Sequence, residues 1–481
     1  MYYKIREDIL YRKYDEYGLI TDNSEYGYRM LNDLRRKRPE KYVSKSGAVM
    51  LSMLDRNPKN IDDIVEELSG IFVGVDKETL KCDTMEFFQY FVDEGYLSSG
   101  KSIDSINESD DNLLVDKETI KRQIVMETDD CDKSTFKSSE FLRSIHIEVA
   151  NECNERCVHC YIPHKYKTSS IDPSLFYRVI EEGRDVNIIH VTLSGGEPLL
   201  HKDIIGFLRK CREMDLSVNV LSNLTMLSDE IVSEMKNNPL LSVQTSIYAM
   251  NPIVHDGITK LEGSLEKTIR GVYKLLEVGI PVQISLPIMK QNKDDFVSVI
   301  KWGYENNISV AVEPVIFASY DHTGDNLCNR LSLEEVGNSI DFELSEGYAD
   351  IISDLAREKE ALKSDDPICS ICRYSFCVSA TGEVYPCVGW QTNVIGTLEN
   401  QSLRDIWENS YKIAQLRKIK RKDFIECVDC KDRGYCTVCM MSNSNESEDG
   451  DPFKINKFHC KVAKLKHEKI DLYRQKMKGE N

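Results

Sequence analysis

The chain has 481 residues, more than one hydrophobic core can organise, and 41% are apolar, so roughly two to four globular domains are expected. A net charge of −18, from 62 basic and 80 acidic residues, excludes a broad positive surface for nucleic acid or anionic membrane. The charged start "MYYKIREDIL" has no apolar stretch typical of export signals, and no run is long enough to span a bilayer, so a cytoplasmic protein is expected. In that reducing setting the 16 cysteines point to metal ligation rather than disulfides.

Residues 1–99 read as a small α+β unit. Ile61, Ile64, Val65 and Leu68 line one helix face, with Asn60 as its cap and Gly70 past its end. A helix is expected through "DTMEFFQYFVDEG" and another from "YVSKSGAVMLSMLD". The basic run "LRRKRPEKY" reads as a solvated turn, or as an attractor of an acidic partner. Residues 100–138 are polar and acidic and read as a linker. From 139 to 330 short apolar runs alternate with helical segments. "IHIEV", "IIHVTLS", "LSVNVLS", "LSVQTSI", "VQISLPI" and "ISVAVEPV" are six strand candidates. This alternation predicts an α/β fold with a partial (β/α)6 parallel barrel, its ligand site at the carboxyl ends of the strands. Residues 331–365 read as a helical connector. Residues 366–481 are dense in cysteine, need metal staples to fold, and end in a terminal helix at 461–479.

Eleven cysteines fall in two groups, and Cys82, Cys131, Cys211, Cys328 and Cys377 read as buried fillers or inert thiols. The first group, Cys153, Cys157 and Cys160, directly follows strand one with spacing C-x3-C-x2-C. Three thiolates on a [4Fe–4S] cube leave one iron open to a ligand. The alternatives are a zinc site completed by His159 or His164, or three unrelated thiols. Strand two ends in "LSGGEPLL", where Gly195 and Gly196 admit a close-lying ligand, Glu197 offers an acceptor, and Pro198 follows.

C-x3-C-x2-C followed by Tyr161, with GGEP on the next strand, resembles the radical S-adenosylmethionine (radical SAM) enzymes over roughly 142–315. The resemblance implies that Cys153, Cys157 and Cys160 hold a catalytic [4Fe–4S] cluster. It implies that the free iron chelates S-adenosylmethionine, that the Gly-Gly-Glu turn binds its amino group, and that a 5′-deoxyadenosyl radical removes hydrogen from carbon. Ser222 and Asn223 resemble the family's Thr-Asn-Gly turn, with Leu224 in the glycine's place. Ser246 matches a ribose-contacting position, and Tyr248 stands where some relatives are acidic.

The second field runs Cys372-x9-Gly382-x4-Cys387, then Cys427-x2-Cys430-x5-Cys436-x2-Cys439, then Cys460. It resembles the SPASM extension, one residue short in the last gap, and implies two auxiliary [4Fe–4S] clusters. One would take Cys372, Cys387 and Cys439, with Cys369 as the natural fourth ligand. The other would take Cys427, Cys430, Cys436 and Cys460. A pair of zinc sites is the alternative.

The first 99 residues resemble the winged-helix peptide-recognition domain of maturases acting on ribosomally made peptides, carried by 42–97. Together these parts imply a cytoplasmic, oxygen-sensitive maturase that installs thioether crosslinks in a Cys-rich precursor whose leader docks on the N-terminal domain. An electron donor such as flavodoxin or ferredoxin would serve it. A carbon–carbon crosslinking maturase, a formylglycine-generating sulfatase-maturing enzyme, and a zinc-stapled peptide-binding scaffold are the other readings.

Overall fold

The computed structural model describes residues 1–24, 26–33, 35, 37–106, 141–346, 356, 357 and 361–479. Most of the expected linker, and Cys131, lie outside the described residues.

The N-terminal unit holds β1 (Tyr2–Ile5), β2 (Leu10–Lys13), β3 (Tyr17–Thr21), β4 (Lys41–Ser44), α1 (Lys45–Ser52), β5 (Lys59–Asn60), α2 (Ile61–Ser69), α3 (Lys77–Asp93) and β6 (Leu97–Gly100). Two antiparallel three-stranded sheets, β5-β1-β6 and β2-β3-β4, pack with the helices. The Asn60 side chain accepts the Asp62 amide, and α2 buries Ile61, Ile64, Val65 and Leu68. The stretch expected to be helical from Tyr42 is strand to Ser44, because Tyr42 and Val43 pair with Leu19 and Gly18 of β3. The helix begins where Ser44 caps the Gly47 amide. The "LRRKRPEKY" run is not simply a solvated turn: Arg38 is buried and ion-paired with Asp8 and Asp22.

All six expected strands form: β7 (Ser144–Ala150), β8 (His190–Gly195), β9 (Ser217–Leu221), β10 (Leu241–Ser246), β11 (Val282–Pro287) and β12 (Ser309–Glu313). They pair in parallel in sequence order. Between them lie α4 (Pro173–Asp185), α5 (Ile204–Glu213), α6 (Asp229–Lys236), α7 (Pro252–Thr259), α8 (Ser264–Glu277) and α9 (Phe296–Glu305). The period-two pattern of each strand sorts its side chains. Ile145, Ile147, Val191, Leu193, Val218, Val220, Val243, Val282 and Ile284 join the hydrophobic core under the helices. The opposite face is polar and self-bonded: His146 with Ser194, His190 with Ser217 and Thr192, Ser242 with Asn219, and Gln244 with Gln283.

After α10 (Leu333–Ser345), β13 (Ser375–Val378) adds parallel to the free edge of β7, followed by antiparallel β14 (Glu383–Tyr385) and β15 (Gly396–Thr397). The C-terminal region therefore extends the barrel sheet to nine strands. It continues as α11 (Leu403–Asn409), α12 (Tyr411–Lys418), α13 (Ile425–Val428), α14 (Met440–Glu446) and α15 (Lys457–Gly479). α15 returns to pack on α10, with Lys469 paired to Asp341 at 2.6 Å.

The N-terminal unit is fixed to the barrel by buried charge. Arg12 is 1% exposed; its Nε donates to the Ile188 carbonyl at 3.0 Å and its Nη1 to Asp215 at 3.0 Å. Arg143 of the strand approach pairs with Glu40, and Arg212 with Glu7. Residues 22–24 and 26–33 run beneath the N-terminal ends of the barrel strands. The Tyr26 ring stacks on His190 with centroids 4.8 Å apart, and the Asn219 amide donates to the Tyr26 carbonyl at 2.6 Å. The Tyr28 amide donates to Ser242 Oγ at 3.0 Å, and the Leu31 amide to the Asn307 carbonyl at 3.1 Å. No helix among the described residues is long and apolar enough to cross a membrane.

Candidate active site

The loop carrying Cys153, Cys157 and Cys160 leaves the C-terminal end of β7 and is pinned at many points. The Arg156 and Val158 amides donate to the Thr259 and Ile258 carbonyls at 2.8 and 3.0 Å. Asn329 and Asn326 side chains hold the Val158 and His159 carbonyls at 2.8 and 3.0 Å. The Tyr320 amide donates to the Tyr161 carbonyl at 3.1 Å. Such anchoring fixes a loop with no regular structure of its own, which suits a site that must present three thiols in one geometry.

The Gly-Gly-Glu turn is stitched to this loop. Gly195 has φ +132°, and a Cβ there would lie 2.1 Å from the Ala150 carbonyl oxygen. A Cβ on Gly196 would lie 2.4 Å from both the Asn151 and Glu152 oxygens. Only glycine permits this approach. The Gly196 amide donates to Ala150 O at 2.6 Å and the Glu197 amide to Glu152 O at 2.8 Å. Glu197 is fully buried, and burial pushes its carboxyl up to about 7. Its oxygens accept from Ser222 Oγ at 2.7 Å, the Asn223 amide at 2.7 Å and the Leu199 amide at 3.0 Å. Glu197 is thus a strut from β8 to the end of β9, a role the sequence did not disclose. Pro198 opens the short 3-10 turn that follows.

The Asn223 side chain donates to Asn154 Oδ1 at 2.9 Å, closing the link from β9 back to the cysteine loop. Leu224, in the position read as a departure from glycine, takes the glycine's conformation, with φ +61°. That strain costs an L-residue about 1–2 kcal/mol and is offset by burial of its side chain against Gly271. Ser246 ends β10 and bonds Tyr248. Tyr248 leans over the loop, its hydroxyl 4.0 Å from Cys157 Sγ and its ring edge-on to His159 at 5.1 Å. Its role was legible only as a mismatch.

The thiols suit a polynuclear cluster. Burial pushes the Cys153 thiol up to about 11, and burial, Glu155 and the neighbouring cysteines raise Cys157. Clustered buried thiols ionise together only when a cationic centre compensates them. Among the described residues no three Cys, His, Asp or Glu converge on one ion-sized point. The thiolates of a cube each take a different iron and need no such point.

In the C-terminal region Cys369, Cys387 and Cys439 are brought together: behind the larger effect of burial, Cys439 raises the Cys369 and Cys387 thiols, and Cys369 also raises Cys387. Cys372 is fully buried nearby in sequence, with a left-handed backbone (φ +52°). Cys427, Cys430, Cys436 and Cys460 line one cavity of about 290 Å³. One water needs only ~15 Å³, so this space takes a group far larger than a single ion. The donor set and the room fit an iron–sulfur cluster. Of the isolated cysteines, Cys211 and Cys377 are buried, whereas Cys82 and Cys328 are exposed rather than packed as fillers.

Residues 147–303 match the radical SAM superfamily model, and residues 369–432 match the SPASM iron–sulfur cluster-binding domain. The AdoMet-dependent heme synthase of Methanosarcina barkeri is 24% identical over 327 residues, 62% of this chain and 90% of that protein. The PqqA peptide cyclase of Methylocella silvestris is 22% identical over 339 residues, 66% of this chain and 89% of that protein. Streptococcus suis SuiB, solved bound to precursor peptide SuiA, superposes with a TM-score of 0.60 at 16% identity, covering 94% of this chain and 98% of that one. With the cysteine loop, the Gly-Gly-Glu turn and the C-terminal cysteine groups in place, the family matches make residues 147–303 a radical SAM domain and residues 369–432 a SPASM domain, in an enzyme that binds S-adenosylmethionine and [4Fe–4S] clusters.

Proposed function

We propose that the protein is a peptide maturase that closes intramolecular thioether crosslinks in a Cys-rich, ribosomally made precursor. The observation that carries this reading is that β13 joins the SPASM region to β7, whose end opens into the three-thiol loop, and that Tyr161 interacts electrostatically with both Cys160 and Cys387. The N-terminal unit, held on the barrel by Arg12 and Arg143, supports it, as does a likeness to SuiB that spans almost the whole chain.

In this reading Cys153, Cys157 and Cys160 hold the catalytic cluster. When bound there, S-adenosylmethionine supplies a 5′-deoxyadenosyl radical that removes a hydrogen atom from an unactivated carbon. The Gly195–Gly196 backbone leaves room for it, while Glu197, Ser222 and Asn223 keep the turn and the cysteine loop in register. Tyr161, Pro198 and Ser246 complete the rim. Cys369, Cys372, Cys387 and Cys439 hold one auxiliary cluster, and Cys427, Cys430, Cys436 and Cys460 the other. The precursor's leader adds as a strand to an edge of the β2-β3-β4 sheet, in a winged-helix-like unit spanning 1–99. A flavodoxin- or ferredoxin-type protein delivers the electron.

Anaerobic co-production with a Cys-rich peptide encoded beside this gene, followed by mass measurement, tests the reading. Loss of two hydrogens per crosslink with matching loss of alkylatable thiols supports thioethers. The same mass loss with every thiol alkylatable assigns carbon–carbon bonds instead, and stoichiometric zinc with no cofactor cleavage refutes the enzyme reading.

A further inference from the structure

We propose that Glu148 accepts the proton released as the new bond closes on the peptide. This rests on the peptide-crosslinking reading and adds to it the residue that handles the second hydrogen.

Glu148 lies on the polar inner face of β7, just before the strand passes into the cysteine loop. It is 0% exposed. One carboxylate oxygen, Oε1, accepts from the Gln391 amide, and the other, Oε2, has no partner. An unpartnered buried carboxylate oxygen is costly to keep, so its persistence calls for a use. Gln391 follows Cys387 on the SPASM side, and Tyr161 follows Cys160 on the barrel side. Tyr161 interacts electrostatically with Glu148, with Cys160 and with Cys387. Glu148 therefore stands between the cysteine loop and the first auxiliary group.

The groups facing Glu148 are Tyr161 from the loop, Tyr320 from beyond β12, and Cys377 and Tyr385 from β13 and β14. None of these is cationic. Burial alone pushes the carboxyl up to about 8. That lies close to the ~8.5 of an ordinary thiol, the match that favours proton transfer.

The step balances as follows. The carbon has lost its hydrogen atom to the adenosyl radical. The S–H bond of the substrate cysteine breaks and its proton passes to the free oxygen of Glu148. The C–S bond forms, and an oxidised [4Fe–4S] cluster held by Cys369, Cys372, Cys387 and Cys439 would take the surplus electron. A carbon–carbon product would shed its second hydrogen by the same division.

The test compares wild type with Glu148→Gln and Gln391→Leu. Glu148→Gln is expected to slow crosslinking by about 10²–10⁴-fold, the range for a lost general base. It should still form 5′-deoxyadenosine carrying a hydrogen from the peptide within a few-fold of wild type. The wild-type rate should rise with pH through about 8, because only the ionised carboxylate accepts. Gln391→Leu should retain crosslinking within a few-fold and move that rise to higher pH, since the ionised form loses a donor. In the anaerobically reconstituted protein, infrared difference titration should show a carboxyl signal ionising near that pH in wild type and missing in Glu148→Gln. Should Glu148→Gln fail to load iron, Glu148→Asp decides: slowed crosslinking with its pH dependence kept supports the assignment, and an unslowed rate overturns it. Crosslinking by Glu148→Gln at the wild-type rate, or equal losses in Glu148→Gln and Gln391→Leu, overturns the assignment while leaving the maturase reading intact. A wild type that converts no peptide overturns both.

Discussion

Replacing Gly196 with alanine tests the packing at the centre of the site. The added Cβ would lie 2.4 Å from the Asn151 and Glu152 carbonyl oxygens and 2.8 Å from the Glu152 carbonyl carbon. Ordinary contact begins near 3.4 Å, so the two loops must separate by about 1 Å. The Glu197 amide, now 2.8 Å from Glu152 O, would then pass beyond hydrogen-bonding range, and the 2.6 Å bond from the Gly196 amide would stretch with it. Overpacking costs about 1–3 kcal/mol and each lost bond about 1, giving roughly 2–5 kcal/mol. The barrel's urea transition in iron-free protein should fall by that amount, and iron loading at the three-cysteine loop should fall with it. Gly257→Ala is the control: its Cβ meets nothing within 4 Å in α7, and it should be neutral or stabilising by up to ~1 kcal/mol. A Gly196→Ala protein unfolding within ~0.5 kcal/mol of wild type would refute the claim that backbone contact between β8 and the cysteine loop shapes the site.

Replacing Cys153, Cys157 and Cys160 together with alanine should abolish cofactor cleavage and lower iron from about twelve to about eight atoms per chain, measured after anaerobic reconstitution. Arg12→Met strips a buried guanidinium from the Asp215 carboxylate and three carbonyls. Because Asp215 keeps Arg56, the cost should be about 2–4 kcal/mol, seen as earlier protease release of the N-terminal unit. His190 is held neutral, its value pushed down to about 3 by burial and by His146. Between pH 6.5 and that value the unfolded chain binds a proton that the folded chain refuses, so stability falls as pH falls. Replacing His190 with Gln should remove about 1.4 kcal/mol per pH unit from that slope, measured by denaturation at stepped pH.

The barrel was legible because each strand carries its own alternation, as "HVTLSG" does with Val191 and Leu193 outward and His190, Thr192 and Ser194 inward. The cysteine loop and Gly-Gly-Glu turn were legible for a similar reason, since spacing within one loop is local. What depends on distant partners was not. Strand β4 reads as helix until β3 is beside it, and nothing in residues 375–378 announces pairing with β7. Arg12 and Arg38 look like surface cations until Asp215, Asp8 and Asp22 enclose them. Glu148 is one carboxylate among many acidic residues, and only burial between two regions of the chain singles it out.

The run of Tyr26, Tyr28 and Leu31 lies across the N-terminal ends of the barrel strands, bonded to β8, β9 and β10 and, through Leu31, to Asn307 just before β12. On the proposed crosslinking reading, a peptide that enters at the cysteine rim would meet this covered end and leave the way it came. Each crosslink would then add bulk to the segment that has to reverse, so the number of bonds closed in one visit would be limited by what still fits past the doorway.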